Sequence, residues 1–99
     1  MRVLASFEDV IVKWLEYLDS HSRNVFTVSF KSFRIWVTRN KIKYVKNDFG
    51  VFWSTVKRYA DGKGYYIVDV RSVYTPHGNK AYKKVMVVKR KEALIYYNI

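Results

Sequence analysis

Apolar residues recur every three or four positions between residues 6 and 20, and this spacing predicts an amphipathic helix. Its apolar positions are Phe7, Val10, Ile11, Trp14, Leu15 and Leu18. Ser6 stands three residues before Asp9, which matches a capping box, and Glu8 and Asp9 fall in the first turn, where the helix dipole favours acidic residues. The polar residues that follow predict the end of the helix: Ser20, His21, Ser22 and Asn24.

Residues 25–46 fit two patterns. From Val25 to Phe30, β-branched and aromatic residues alternate with Thr27 and Ser29, which is typical of a strand. A second set lies three or four residues apart and indicates a helix capped by Ser29: Phe30, Phe33, Trp36 and Val37. We predict a short extended segment over residues 25–28 and a helix from about residue 30 to 39, with a strand through residues 28–39 as the alternative.

A third helix is predicted over residues 48–61, with Asn47 or Asp48 as its cap. Its apolar stripe consists of Phe49, Phe52, Trp53, Val56 and Ala60. The pair Asp61-Gly62 is a stop signal, and we expect Gly62 to take the left-handed position that follows a helix.

Residues 64–90 predict a β-hairpin. Residues 65–74 and 81–89 are rich in Tyr, Ile and Val, and residues 75–80 have the composition of a loop. The C-terminal tail, residues 91–99, turns apolar from Ala93 onward, so it is expected to pack on the domain or on a second copy. No repeat or linker interrupts the pattern, which predicts one domain over residues 1–99.

The composition excludes several classes of function. The chain of 99 residues has no Cys, which excludes disulfides, a thiolate nucleophile and a Cys-ligated zinc. Its two His are far apart, no Gly-rich phosphate loop occurs, and nothing brings acidic residues together, so we expect neither an enzyme nor a cofactor or metal. No apolar run reaches the length of a membrane span and the N-terminus lacks a signal-peptide pattern, so we expect a cytoplasmic protein.

Charge is unevenly distributed along the chain. There are 19 Lys and Arg residues against 8 Asp and Glu, a formal net charge of +11, yet residues 1–22 hold four acidic and two basic residues. A molecule with one strongly positive side attracts polyanions by long-range attraction and counterion release. Solubility alone is the simpler explanation of such a charge.

The order of three helices and a long hairpin resembles a winged-helix DNA-binding domain. The segment from Tyr59 to Tyr66, in which a helix runs through Asp61-Gly62 into a strand, resembles the junction between the third helix and the wing of that family. The resemblance covers about residues 6–90 and implies an α+β, winged-helix-like fold with three helices followed by a long β-hairpin. The second helical segment departs from the family by its β-branched and aromatic content. The Tyr-, Val- and Lys-rich composition without Cys or Gln also resembles small basic proteins of crenarchaeal viruses, which would be thermostable.

If the winged-helix resemblance holds, the third helix enters the major groove and the acidic first helix faces away from the duplex. The exposed face of the third helix, flanked by Thr55, would then contact bases through Ser54, Arg58, Lys57 and Val51. Phosphates would be held by the turn before this helix, by its N-terminal Gly50 and by the hairpin, through Lys41, Lys43, Lys46, Gly50, Arg71, Lys80, Lys83 and Lys84.

The expected function is therefore that of a double-stranded DNA-binding protein, either a small transcriptional regulator or a viral DNA-associated protein in its host's cytoplasm. The apolar tail raises a homodimer as a further expectation. The alternative is a structural or partner-binding α+β protein whose basic surface meets an acidic partner.

Overall fold

The computed structural model describes residues 6–44, 49–74 and 80–93, with side chains described at residues 6–44, 50–68 and 84–92. The elements follow in the order α1 (Phe7–Ser20), β1 (Val25–Ser29), α2 (Phe30–Arg39), α3 (Phe49–Lys63), β2 (Tyr66–Tyr74), β3 (Lys80–Val88) and a 3-10 turn (Lys91–Ala93). The fold is thus a mixture of helices and strands of the α+β class. The apolar tail after residue 93 lies outside the described residues.

α1 begins where the sequence predicts it. The side-chain oxygen of Ser6 accepts a hydrogen bond from the backbone N–H of Asp9 at 3.1 Å, which satisfies a donor that the helix itself leaves unpaired. The residues that α1 buries are Phe7, Val10, Ile11, Trp14 and Leu15. His21 caps the other end, and its backbone N–H donates to the Tyr17 carbonyl at 3.2 Å.

The two patterns in residues 25–46 follow one another along the chain, as a strand and then a helix. The alternative prediction of a strand through residues 28–39 is wrong. Ser29 is the last residue of β1 and also the N-cap of α2, and its hydroxyl oxygen accepts from the Ser32 N–H at 3.2 Å. Ser29 therefore both ends the strand and caps the helix, and the chain turns into α2 at Phe30. Phe33 and Val37 form its buried side.

The end of α3 corrects one prediction. Gly62 is helical, and Gly64 takes the left-handed position with a φ of +72°. The Tyr65 N–H donates to the Ala60 carbonyl at 2.8 Å and the Gly64 N–H to the Asp61 carbonyl at 3.1 Å. This pair of bonds is a Schellman motif, which needs its glycine one residue beyond the last helical turn. Gly62 therefore lies two residues too early to end the helix.

The sheet has three antiparallel strands in the order β1-β3-β2. β2 and β3 form the predicted hairpin, in register at Ile67↔Val87, with irregularities between Asp69 and Arg71 and between Val73 and Tyr74. The sequence did not predict that β1 would join them, and it pairs with β3 from Val25↔Val88 to Ser29↔Lys84. The strand between α1 and α2 is thereby tied to the return strand of the hairpin.

The core lies between the helices and one face of the sheet. Phe33 is at its centre and is completely buried. Its ring centroid lies 5.3–6.0 Å from the rings of Trp14, Phe52, Phe7, Tyr44 and Phe30. The sheet contributes Phe26, Val28, Val85 and Val87. Four aromatic residues at helical spacing, Phe7, Trp14, Phe33 and Phe52, are thus core residues, whereas Trp36 and Trp53 are partly buried against the core.

Candidate nucleic-acid interface

The solvent face of α3 carries the polar residues that the helical wheel predicts there. Ser54, Lys57 and Arg58 are exposed, as is Gly50 in the first turn. The Ser54 hydroxyl donates to the Val51 carbonyl at 3.2 Å, a local bond on the helix surface. Three of the four predicted base-contacting side chains are therefore accessible to a ligand.

Two residues of α3 lie elsewhere than predicted. Val51 is half-buried against the core, and Thr55 is only 2% exposed. The buried arc of α3 runs through Phe52, Thr55, Val56 and Ala60, because the helix packs against both α1 and the sheet. Within the described residues the Thr55 hydroxyl has no hydrogen-bond partner, so this side chain packs like a valine.

The acidic side of α1 lies beside α3 and not away from it. Arg58 Nη1 is 2.8 Å from Glu8 Oε1, with side chains 65% and 45% exposed. Farther along α1, Glu16 and Asp19 line a surface depression together with Lys63 at the end of α3. The exposed ion pair between Arg58 and Glu8 adds little stability. It does place an anion next to the Arg58 guanidinium, which any other anion must displace.

A polar cluster around Asp19 joins α1, α3 and the sheet. The Asp19 carboxylate accepts hydrogen bonds from Tyr59 Oη at 2.8 Å and from Tyr65 Oη at 3.0 Å. It also lies 2.6 Å from Lys89 Nζ. Lys89 Nζ also donates to the carbonyls of Asp19 and Ser22, at 3.0 and 2.7 Å. No local sequence signal predicts this cluster, because Tyr59, Tyr65 and Lys89 are 40 to 70 positions from Asp19. The cluster links residues that are distant in the sequence, and its contacts leave Lys89 unavailable to a ligand.

The ionisation of this cluster follows from its contacts. Partial burial alone would raise the pKa of Asp19, but hydrogen bonds from Lys89, Tyr59 and Tyr65 and the charge of Lys89 outweigh it, so the pKa of Asp19 is lowered. Burial, followed by the hydrogen bond to Asp19 and its charge, raises the pKa of Tyr59 and of Tyr65. Both phenols are therefore neutral hydrogen-bond donors at neutral pH. A tyrosine nucleophile would need its phenolate form, which these raised pKa values disfavour.

Among the described side chains, those of α2 and the turn after it form a basic surface without acidic residues. Five cationic side chains are exposed there: Lys31, Arg34, Arg39, Lys41 and Lys43. Lys41 is in the left-handed region with a φ of 53°. No acidic residue occurs from Ser20 to Asn47. Lys41 and Lys43 are among the predicted phosphate contacts. The three cations of α2 were not predicted as contacts, although their positions on the helical wheel opposite Phe33 and Val37 would have indicated an exposed basic face.

The remaining predicted phosphate contacts belong to the hairpin and the turn. Lys84 is half-buried on β3, between Ser29 of β1 and Arg71 of β2. Arg71 lies in β2 and Lys80 and Lys83 in β3, but their side chains are outside the described residues, and so is the whole of Lys46. Arg71 and Lys84 therefore occupy paired positions on neighbouring strands of the sheet.

No family model, curated protein or solved structure matches this chain. Among the described residues, no group of three or more His, Asp or Glu side chains is arranged to hold a metal ion. No helix in the described ranges has the length and apolarity that crossing a membrane requires.

Proposed function

We propose that this chain is a double-stranded DNA-binding protein with a winged-helix-like arrangement. The observation that carries the proposal is the run of exposed cations on α2 and the following turn, in a stretch without acidic residues. A duplex is a dense array of negative charge, and phosphate contacts supply much of the affinity of proteins that bind it. The order of elements supports the winged-helix part, because α2 and α3 are consecutive and the hairpin follows α3 directly.

In this proposal α3 contacts base edges and the turn before it contacts phosphates. Ser54, Lys57 and Arg58 lie on the exposed face of α3 and have the donors that base edges accept. Lys41 and Lys43 precede α3 and Gly50 lies in its first turn, where backbone N–H groups suit a phosphate. The connection from residue 40 to 48 is longer than the three to four residues of a typical helix-turn-helix.

The proposal predicts tight, salt-dependent binding to duplex DNA that Lys57→Glu weakens. Reversing one contact in this interface is expected to raise the Kd about 10-fold or more, because it removes one attraction and adds a repulsion. The measurement is a fluorescence-anisotropy titration of a labelled random duplex at several salt concentrations, with single-stranded DNA beside it. Lys13→Glu, the same reversal at an exposed position of α1, is the matched control and should change the Kd less.

The contrary outcomes separate the two parts of the proposal. No duplex binding at about 50 mM salt would overturn it, because several phosphate contacts are readily detected there. The alternative of a partner-binding protein would then be preferred. Binding that Lys57→Glu and Lys13→Glu affect equally would retain DNA as the ligand and exclude α3 from the interface.

A second prediction concerns the pair of Arg58 and Glu8. Glu8→Gln removes the anion 2.8 Å from Arg58 and is expected to lower the Kd for duplex DNA several-fold, because the guanidinium no longer has to leave a carboxylate. Glu16→Gln makes the same change of net charge on the same helix and is the control. Equal effects of the two substitutions in the anisotropy titration would show that Arg58 does not contact DNA.

A further inference from the structure

The solvent face of α2 has a single sign of charge. The helix buries Phe33 and Val37, and the side opposite them exposes Lys31, Arg34, Ile35, Thr38 and Arg39. We call Lys31, Arg34 and Arg39 the basic face of α2. α2 contains no acidic residue, and Arg34, Ile35, Thr38 and Arg39 line a shallow depression on its surface. Ile35, 49% exposed, interrupts the polar residues at the centre of this face.

Within the described part of the chain, the three cations of this face form no ion pair, unlike two other basic residues. Arg58 is paired with Glu8, and Lys89 with Asp19. A surface that serves solubility alone usually mixes charges of both signs. The α1–α3 side has this mixed character, whereas the basic face of α2 does not. Its charge is therefore available to an external anion.

The dimensions of this face suit a nucleic-acid backbone. Lys31 and Arg39 are eight residues apart, which is about 12 Å along a helix. A DNA duplex carries one negative charge per about 1.7 Å of its axis, so a face of this length meets several phosphates. The two arginines among the three cations can each hold a phosphate through two parallel hydrogen bonds.

We infer that the basic face of α2 is a phosphate-binding surface that supplies most of the affinity for duplex DNA, an inference that rests on the proposed function. α3 contributes less, because Arg58 must leave Glu8 and because Asp61 is exposed on the same helix as Lys57. Contacts of α2 with phosphates position the protein without reading sequence. Sequence preference, where present, then comes from α3.

The test compares two variants of the full chain that lose the same charge. Lys31→Gln/Arg34→Gln/Arg39→Gln removes the basic face, and Lys63→Gln/Arg90→Gln/Lys91→Gln removes three other exposed cations. Duplex affinity of the first is expected to fall on the order of 100-fold near 0.1 M salt, and the slope of log K against log salt by about 2–3. The control should lose less than about 10-fold and keep the wild-type slope. Because all six side chains are exposed, both variants should keep the wild-type circular dichroism spectrum.

Each contrary outcome has a separate meaning. Wild-type binding with equal losses in the two variants would overturn the role of α2 and leave the proposed function standing. Wild-type protein that ignores duplex DNA at about 50 mM salt would overturn the proposed function, and this inference with it. Binding to vesicles of anionic lipid but not to duplex, lost only in the α2 variant, would overturn DNA as the occupant of this face.

Discussion

Phe33→Ala is expected to lower the free energy of unfolding by about 4 kcal/mol. Phe33 is completely buried, and its ring is 5.3 Å from Trp14 and 5.4 Å from Phe52. Truncation removes apolar surface from the core and leaves a cavity between α1, α2 and α3, which rigid neighbouring rings fill poorly. A domain is stable by only about 5–15 kcal/mol, so most of that margin is lost. Urea unfolding followed by tryptophan fluorescence measures the effect.

Two further variants define what a smaller effect would mean. Phe33→Leu retains an apolar side chain and should cost less than the alanine variant. Tyr17→Ala removes an aromatic ring that is 46% exposed and should cost about 1 kcal/mol or less. A loss below about 1 kcal/mol for Phe33→Ala would contradict a core centred on this ring.

The elements that local signals define could be predicted from the sequence. Ser6 and Ser29 are both followed by apolar residues at helical spacing, and both cap the helices that this pattern indicates. The end of α3 was harder, because two glycines lie two residues apart and both fit a stop signal. Of the two, Gly64 has the positive φ, and the hydrogen bonds donated by the Gly64 and Tyr65 N–H groups end the helix there. The pairing of β1 with β3 had no local signal, since Val25 and Val88 are far apart in the chain.

The same division between local and distant signals applies to the candidate interface. Exposure of Ser54 and Lys57 follows from the helical wheel of α3 alone. Exposure of the α2 cations follows equally from the wheel of α2. The pairing of Arg58 with Glu8 does not, because the two residues are 50 positions apart and meet only once α1 and α3 pack.

The packing of α1 against α3 pairs part of the basic charge of α3 with an acidic residue of α1. The four acidic residues near the N-terminus belong to one helix. Two of them form ion pairs: Glu8 with Arg58 of α3, and Asp19 with Lys89, which follows β3. These two pairs compensate the positive charge of Arg58 and of Lys89. Five exposed cations on α2 and the turn after it remain unpaired in the described residues, in a stretch without acidic residues. Charge counted along the sequence therefore predicts a positively charged molecule, but it does not predict which helix presents the unpaired cations.

Replacing Asp19 with alanine is expected to lower the free energy of unfolding by about 3 kcal/mol. The side chains of Asp19 and Lys89 are only 13% and 17% exposed, so the variant leaves a largely buried ammonium group without its anion. Tyr59 and Tyr65 lose their acceptor as well. Lys89 keeps its bonds to two carbonyls, which places the loss at the lower end for broken buried pairs.

Urea unfolding at neutral pH measures this loss, with Asp61→Ala as the control. Asp61 is exposed near the end of α3, and its side chain has no part in the cluster, so its removal should change stability by less than about 0.5 kcal/mol. Equal losses for the two alanine variants would show that the cluster around Asp19 does not stabilise the fold.

The pH dependence of Asp19→Asn tests the charge separately from the size of the side chain. The pKa of Asp19 is lower in the folded protein than its ordinary value of 3.8, so folding favours the carboxylate. Its contribution is fully present above the unfolded pKa and is lost as pH falls through the folded pKa. The stability difference between wild type and Asp19→Asn should therefore be constant above about pH 5 and shrink below about pH 4. Because the other carboxylates are common to both proteins, a difference that stays constant or grows on acidification would mean that the folded protein does not favour the Asp19 carboxylate.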